Sequence, residues 1–387
     1  MESSIVLPTS PEPRVSILIV TAKQPGLLAR CLESLARCGS AVPFEVVVVL
    51  NDALPGVEAL VRERVSGATV ISSSIPLGLA GGSNRARAAA RGEFLALFHD
   101  DAEAQPGWLE ALVETIDAHP EAGAVGSRML NPDGTPQSLG SVLWSDGSAW
   151  GLGGPASLLP ASETTFAVDF CGSSSLLVRA KAWDAIGGAD ERFYPAFYVD
   201  VDLCLGIWTL GQAVLATPAS RVRHTKSAST EPRFRALLYR RNQGLLQRKW
   251  GEALAAFEPP APGSAEGIQR AVERARSRWR KVQDNRVSVP APAPSPFDPA
   301  AQERRILRIL EIALDLQRDW AAELSAELAQ AREGQKRMAA EIAALRERSE
   351  ALDTVERSLW WRLYGRLLPL LRFVRRLSRR AGSSRTE

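Results

Sequence analysis

Short apolar runs alternate with stretches of helical periodicity over the first 250 residues. VSILIV (15–20) reads as a buried strand, and Gly26 to Cys38 carries Leu27, Leu28, Cys31, Leu32 and Leu35 at helical spacing. VVVVL (46–50) repeats the strand signal; helical VEALVRERV (57–65), strand ATVIS (68–72) and strand FLALF (94–98) follow, and a helix opens at Pro106 and runs to about His119. The order βαβαβαβα predicts an α/β fold with a mostly parallel central sheet. In open sheets of this kind ligands bind beyond the carboxyl ends of the strands, so the residues after each strand are where chemistry is sought.

The pattern changes after Trp250. FEPPAPGSAEG and VPAPAPSPFDP bracket a charged helical piece (268–280), and the Pro/Ala stretch 289–299 reads as a semi-rigid spacer. From Leu307 a 3-4 spacing picks out Leu307, Leu310, Leu314, Gln317, Ala321, Leu324, Leu328, Ala331, Gln335, Met338, Ile342, Leu345, Ser349 and Leu352. Two readings stand: a coiled coil, or one amphipathic helix folded back on the body. The expected organisation is a catalytic domain over 1–250, a helical and Pro/Ala-rich linker over 251–300, a coiled coil over 301–356 and a basic amphipathic tail over 357–387.

The net charge of +3 hides an asymmetry: residues 357–387 hold nine Arg and one acid, a local +8, which leaves the rest at −5. A body without a basic footprint disfavours nucleic-acid binding. The tail mixes Trp360, Trp361, Tyr364 and Phe373 with its arginines, a composition that lies at an anionic membrane surface; the alternative is a solvated basic helix. No apolar run reaches the length of a membrane span, and the first fourteen residues lack the basic and apolar regions of a secretory leader. Four cysteines without CxxC spacing suit a reducing compartment, so a cytoplasmic location is expected.

His99-Asp100-Asp101 directly after an apolar strand is the sharpest chemical signal. Adjacent carboxylates repel unless a cation or donor-rich ligand compensates, and Mg²⁺ or Mn²⁺ is held by one or two carboxylates plus phosphate oxygens. The alternative is a pair of solvent-facing acids near the start of a helix. Asp200 and Asp202 stand among Phe197, Tyr198 and Leu203, where desolvation raises proton affinity and suits a general base; alternatively Asp202 caps a helix and Asp200 is at the surface. His224 is either structural or a nitrogen ligand to the same ion. PLGLAGGSNRARAAARG (76–92) is expected to open a helix at Gly81-Gly82-Ser83-Asn84, with room for a phosphate or sugar at its N-terminus.

The apolar N-terminal strand, LGLAGGSNRARAAARGEFLALFHDDAEAQPGWLEAL, GSSSLLVRAKAWDAIGGADERFYPAFYVDVDLCL and RVRHTKSAST, in that order, resemble glycosyltransferase family 2 over roughly residues 14–250. The family comprises inverting, nucleotide-sugar-dependent enzymes, and the similarity is greatest to bacterial rhamnosyl- and galactofuranosyl-transferases of surface polysaccharide. The resemblance implies a nucleotide-sugar-binding, Rossmann-like domain of glycosyltransferase A type. It puts Asp101 at the metal-binding carboxylate, Asp100 beside the donor diphosphate or ribose, Asp200 at the catalytic base and His224 at a metal-ligand histidine. Thr21, Asn51, Asp52, Gly82 and Asn84 fall on donor-binding stretches, and Arg241 in YRRN is a candidate clamp on the diphosphate. Four positions depart from the family pattern: Ala22, Leu50, His99 and Val199 stand where Tyr and three acids are usual.

The resemblance further implies a Mg²⁺ or Mn²⁺ cofactor, a nucleotide-sugar donor, and a glycan or lipid-linked glycan acceptor at the inner face of the cell membrane. The tail then provides peripheral membrane contact and the coiled coil a homo-oligomer. The competing class is a catalytically inactive scaffold of the same fold, acting through its coiled coil and membrane helix. A nucleotidyltransferase is a third class, but TAKQPG is a poor match to its Gly-rich, Lys-bearing loop.

Overall fold

A computed structural model describes residues 4–155, 162–225, 232–284, 299–357, 362–369 and 372. The sheet is built on seven main strands: β1 (Val15–Thr21), β2 (Phe44–Asn51), β3 (Ala68–Ser73), β4 (Phe94–Phe98), β5 (Ala122–Leu130), β6 (Ser175–Arg179) and β7 (Ala213–His224). Their order across the sheet is β7-β5-β6-β4-β1-β2-β3, with shorter strands added along β5 and β7. β1 lies parallel to β2 and β4, and β2 parallel to β3. Burial on both faces explains why β1, β2 and β4 read as near-continuous apolar runs rather than alternating ones.

The other half departs from the expected parallel pattern. β6 runs antiparallel to both β4 and β5, whereas β7 is parallel to β5, so the sheet is mixed. A parallel neighbour needs a crossover that returns the chain to the same end of the sheet. The segment before β6 instead meanders through short strands and enters β6 from the carboxyl end of β4, where Ser175 pairs with Phe98. A five-residue apolar run such as SLLVR carries no mark of its direction.

Helices flank the sheet. The first, α1 (Pro25–Arg37), starts at a proline, whose missing N–H costs nothing in a first turn, and buries Leu28, Cys31, Leu32 and Leu35 as the periodicity predicts. The next are α2 (Pro55–Arg64), α3 (Gly78–Ala89), α4 (Trp108–Ala118) and α5 (Ala180–Ala185). α6 (Val199–Thr209) is buried on nearly every side, including Val201, Leu205, Ile207 and Trp208, so it is a fixed core element and not a surface helix. α7 (Pro232–Leu254) sends Leu238, Asn242, Leu246 and Trp250 inward at successive turns.

The packed body extends past Trp250. In the stretch expected as linker, α8 (Ala265–Gln283) is capped by Ser264, whose hydroxyl accepts from Gly267 N at 3.1 Å, and buries Ile268, Ala271, Val272 and Ala275. Its Arg274 and Arg278 reach the fully buried Asp169, and Arg278 also stacks on Trp208. Flanking prolines give the segment a linker composition, while one apolar face with inward arginines makes it part of the body. Residues 289–298 of the expected spacer and the tail aromatics Trp360, Trp361 and Phe373 lie outside the described residues. One compact unit ends at Leu310 and a second begins at Glu311. α9 (Pro299–Arg357) is a continuous helix of 59 residues.

Candidate active site

The mixed half of the sheet gathers polar side chains at one end. His99, Asp100 and Asp101 follow β4, and His224 is the last residue of β7. Asp101 Oδ1 lies 3.2 Å from His224 Nε2 and 3.8 Å from His99 Nδ1. One ligand atom from each of the three residues fits within a 4.8 Å cluster, a spacing that suits a shared cation. The buried Asp101 Oδ1 has no aligned hydrogen bond despite its closeness to His224, so it is an orphaned carboxylate oxygen facing two imidazoles. A divalent cation satisfies such an atom, and the residues fit one.

The imidazoles are held from behind. His224 Nδ1 is 2.9 Å from Gln137 Oε1, and Gln137 also donates to the His224 carbonyl at 3.0 Å, so the Gln fixes both ring and backbone. His99 Nε2 lies 3.1 Å from Ser173 Oγ and Nδ1 3.2 Å from Ser174 Oγ, which in turn is 3.3 Å from His224 Nε2. Burial pushes His99 down to about 4, outweighing the opposing pull of Asp101, so its ring is neutral at pH 7 and able to act as a ligand. Burial likewise raises Asp101, but the His224 contact and the neighbouring imidazoles more than offset this and hold it below the usual carboxylate range. Asp100 behaves differently. Burial drives it up to about 6, with Asp101 adding to the rise, although Thr21 Oγ1 donates to it at 2.6 Å.

Asp200 stands in the first turn of α6, joined to the cluster through the serines. Its Oδ2 accepts from Ser173 N at 3.1 Å and its Oδ1 from Val201 N at 3.0 Å. Burial raises its proton affinity, and the two N–H donors restrain that rise. The carboxylate is therefore a better base than a surface aspartate. Asp202 points the other way and is structural: Trp250 Nε1 donates to it at 2.7 Å and Lys249 bridges it to Asp190.

The approach to Asp200 is strained. Phe197 and Tyr198 both have positive φ, 71° and 67°, a region that side chains other than glycine rarely adopt. The buried Asn242 of α7 holds this bend by donating to the carbonyls of Ala196 at 2.9 Å and Phe197 at 3.0 Å. Arg241 donates to the carbonyls of Arg192 and Tyr194, so its guanidinium ties the same loop. Tyr239, one turn before, stacks on Phe197 at 4.6 Å and meets Tyr198 edge-on, leaving an aromatic group beside the carboxylate.

The donor-side candidates are distributed unevenly. Thr21 joins the site through Asp100. Asn51 Oδ1 accepts from Leu77 N at 2.6 Å and so fixes the lead into α3, while Asp52 is exposed with φ 51°. α3 begins at Gly78, one turn before the expected start, so Gly82 lies inside the helix; a Cβ there would come within 2.6 Å of Val20, making it a close-packing position against β1. Asn84 is fully engaged, exchanging hydrogen bonds with both the N–H and the carbonyl of Ala189 and donating to Glu191 at 3.0 Å. Sequence reading missed Ser173, Ser174 and Gln137, and took His99 only as a departure. The one available signal was GSSSLLV, a polar cluster entering an apolar run.

Residues 16–184 match the model of glycosyl transferase family 2. It is 33% identical over 232 residues to the O-antigen biosynthesis protein RfbC of Myxococcus xanthus, covering 57% of this chain and 18% of that one. It is 26% identical over 239 residues to an N-acetylglucosaminyl-diphospho-decaprenol L-rhamnosyltransferase of Mycobacterium tuberculosis, covering 55% of this chain and 76% of that one. The chain spans 28% of the length of the Sinorhizobium fredii protein y4gI, to which it is 30% identical, and thus a small part of two of these relatives. Among solved structures, a mannosyltransferase from Pyrobaculum calidifontis with GDP-Man and Mn²⁺ aligns with a TM-score of 0.45 at 18% identity, covering 81% of this chain and 84% of that one.

Proposed function

We propose that the protein is a metal-dependent, inverting glycosyltransferase that moves a sugar from a nucleoside-diphosphate sugar to a glycan or lipid-linked glycan acceptor in cell-surface polysaccharide synthesis. The observation that carries this reading is the convergence of His99, Asp101 and His224 with Asp200 through Ser173 and Ser174. An inactive scaffold has no use for an orphaned carboxylate oxygen between two imidazoles next to a desolvated aspartate. The match of residues 16–184 to the glycosyl transferase family 2 model and the names of the rhamnosyltransferase and O-antigen relatives support the direction of the proposal.

In this reading His99, Asp101 and His224 hold the cation. Two nitrogen ligands beside one carboxylate favour Mn²⁺ over Mg²⁺, which prefers oxygen. When bound, the ion neutralises charge on the diphosphate leaving group. Asp200 accepts the proton of the acceptor hydroxyl as that oxygen bonds to the anomeric carbon, and the bond to the diphosphate breaks with its electron pair leaving on the phosphate oxygen. Attack opposite the leaving group inverts the anomeric centre. Tyr239, Phe197 and Tyr198 offer apolar surface to the acceptor, and Asn242 and Arg241 keep the loop that carries it in place.

The basic tail places the enzyme at the inner face of the membrane, and the long helix joins chains. Among the described residues no helix is long and apolar enough to cross a membrane. The test is a titration of UDP-, dTDP- and GDP-sugars into the full chain with and without Mn²⁺, followed by donor turnover. Metal-dependent binding and turnover of one nucleotide series supports the proposal; no binding in any series, with Asp101→Ala indistinguishable from wild type, overturns it.

A further inference from the structure

α9 presents an uncovered apolar stripe. Leu307, Leu314, Leu328, Met338, Ile342, Leu345 and Leu352 recur at the 3-4 spacing and are each 50–64% exposed. A helix of 59 residues is about 90 Å long at about 1.5 Å per residue, and helical stability in proteins comes mostly from packing an apolar face. We propose that α9 pairs with α9 of a second copy as a parallel, in-register, two-stranded coiled coil.

The charged residues flanking the stripe select this arrangement. With Leu328, Gln335 and Ile342 at position a, Glu327, Glu341 and Arg348 fall at g, and Arg332, Arg346 and Asp353 at e. In a parallel in-register pair each g residue meets the e residue of the partner's next heptad. That gives Glu327 with Arg332, Glu341 with Arg346 and Arg348 with Asp353, each of opposite sign and each occurring twice by symmetry. Sliding one chain by a heptad sets Glu341 against Asp353, and sliding it the other way sets Arg348 against Arg346, so either shift exchanges attraction for repulsion.

Gln335 adds a second constraint. It is a polar side chain at an a position, and only the parallel in-register pair sets it opposite its own copy, where two amides exchange hydrogen bonds; in an antiparallel pair it faces a d residue of the stripe, which is apolar in every register but the one that brings Gln317 opposite. Ile342 at a with Leu345 and Leu352 at d favours two strands. The ion pairs within the helix, Glu333 with Arg337 and Asp353 with Arg357, run along its length and do not supply the missing apolar cover. Parallel pairing sends both copies of residues 357–387 out at one end, so two basic segments engage one surface together.

This inference rests on the reading that the helix joins chains, and adds stoichiometry, direction and register. Light scattering on the full-length protein tests the joining and is expected to give twice the chain mass; a monomer or a trimer overturns the proposal. Direction and register are tested in the full chain carrying Cys38→Ser and Gln335→Cys under mild oxidation, which is expected to yield a disulfide-linked dimer that the Cys38→Ser parent, with Cys31, Cys171 and Cys204 buried, does not form. A dimer by mass that fails to cross-link overturns the parallel in-register pairing while leaving oligomerisation intact. Glu327→Arg with Glu341→Arg is expected to weaken self-association by about tenfold or more, since each substitution puts like charges together twice. Mixing with Arg332→Glu/Arg346→Glu is expected to restore association, which a misfolded variant does not allow. Donor turnover measured on the same samples separates a failed coiled coil from a failed transferase.

Discussion

The two halves of the central sheet solve different problems. β1, β2 and β3 lie parallel, the first two buried on both faces, and the polar residues at their ends serve mainly the backbone: Asn51 fixes the lead into α3, and the glycines and Asn84 of α3 pack or tie that helix. β4 to β7 form the mixed half, and their ends carry side chains whose polar groups converge on one another instead of on the backbone alone. The antiparallel insertion of β6 makes the difference. It delivers Ser173 and Ser174 to the carboxyl end of β4, where a parallel strand in that slot would have left its amino end at the far side of the sheet. Under the proposed mechanism, polar-to-alanine changes in the scaffold half are expected to cost stability, and those in the mixed half to cost chemistry.

That contrast predicts a gradient of effects. The largest is expected for the proposed metal cluster: Asp101→Ala, or removal of divalent ions with a chelator, lowers transfer by about 10³-fold, read by single-turnover donor consumption, with Mn²⁺ addition rescuing only the chelated wild type. His99→Ala sharpens the assignment, because loss of Mn²⁺ affinity in that variant separates a ligand from a mere neighbour of Asp101.

The pH profile comes next. As the proposed base, Asp200 is active only as the carboxylate, and burial raises its proton affinity, so activity is expected to be lost on acidification at a pH above the usual aspartate value of about 3.9. The acid limb of kcat/KM measures this, and a limb at or below the ordinary value contradicts a desolvated base. Smaller still is the loop. Asn242→Ala removes two hydrogen bonds from the bend at Phe197 and Tyr198, and kcat is expected to fall by about 10-fold with donor KM little changed. The smallest catalytic effect is expected for Asn84→Ala, which costs about 1–3 kcal/mol of stability by denaturant titration while donor KM stays at the wild-type value.

The boundary between what could and could not be read in the sequence follows the same line. β1, β2 and β4 are apolar over their full length and flanked by helices of clear periodicity, so their existence and order were legible. The carboxylates Asp100, Asp101 and Asp200 were legible because burying acids beside apolar runs is costly without a purpose. Strand direction was not, since SLLVR reads alike both ways and its neighbours are set by contacts far along the chain. Ser173, Ser174 and Gln137 were hidden for a related reason: hydroxyls and amides are common in loops, and only the antiparallel register brings them to the histidines. Conversely, Asn84 and Gly82 sit in a glycine-rich stretch of the kind that binds phosphate, yet β1 and Ala189 already occupy them. α8 was obscured by the prolines around it.

The most direct test is a paired measurement on Asp200→Asn: calorimetric binding of the nucleotide-sugar donor in the presence of Mn²⁺, and the rate of sugar transfer with the same donor. The amide keeps the side chain's size and its bond from Ser173 N but cannot take a proton from the acceptor at neutral pH. Donor affinity within about twofold of wild type, with transfer reduced by roughly 10²–10⁴-fold, is the predicted result. Transfer at the wild-type rate contradicts the account and removes Asp200 from the chemistry.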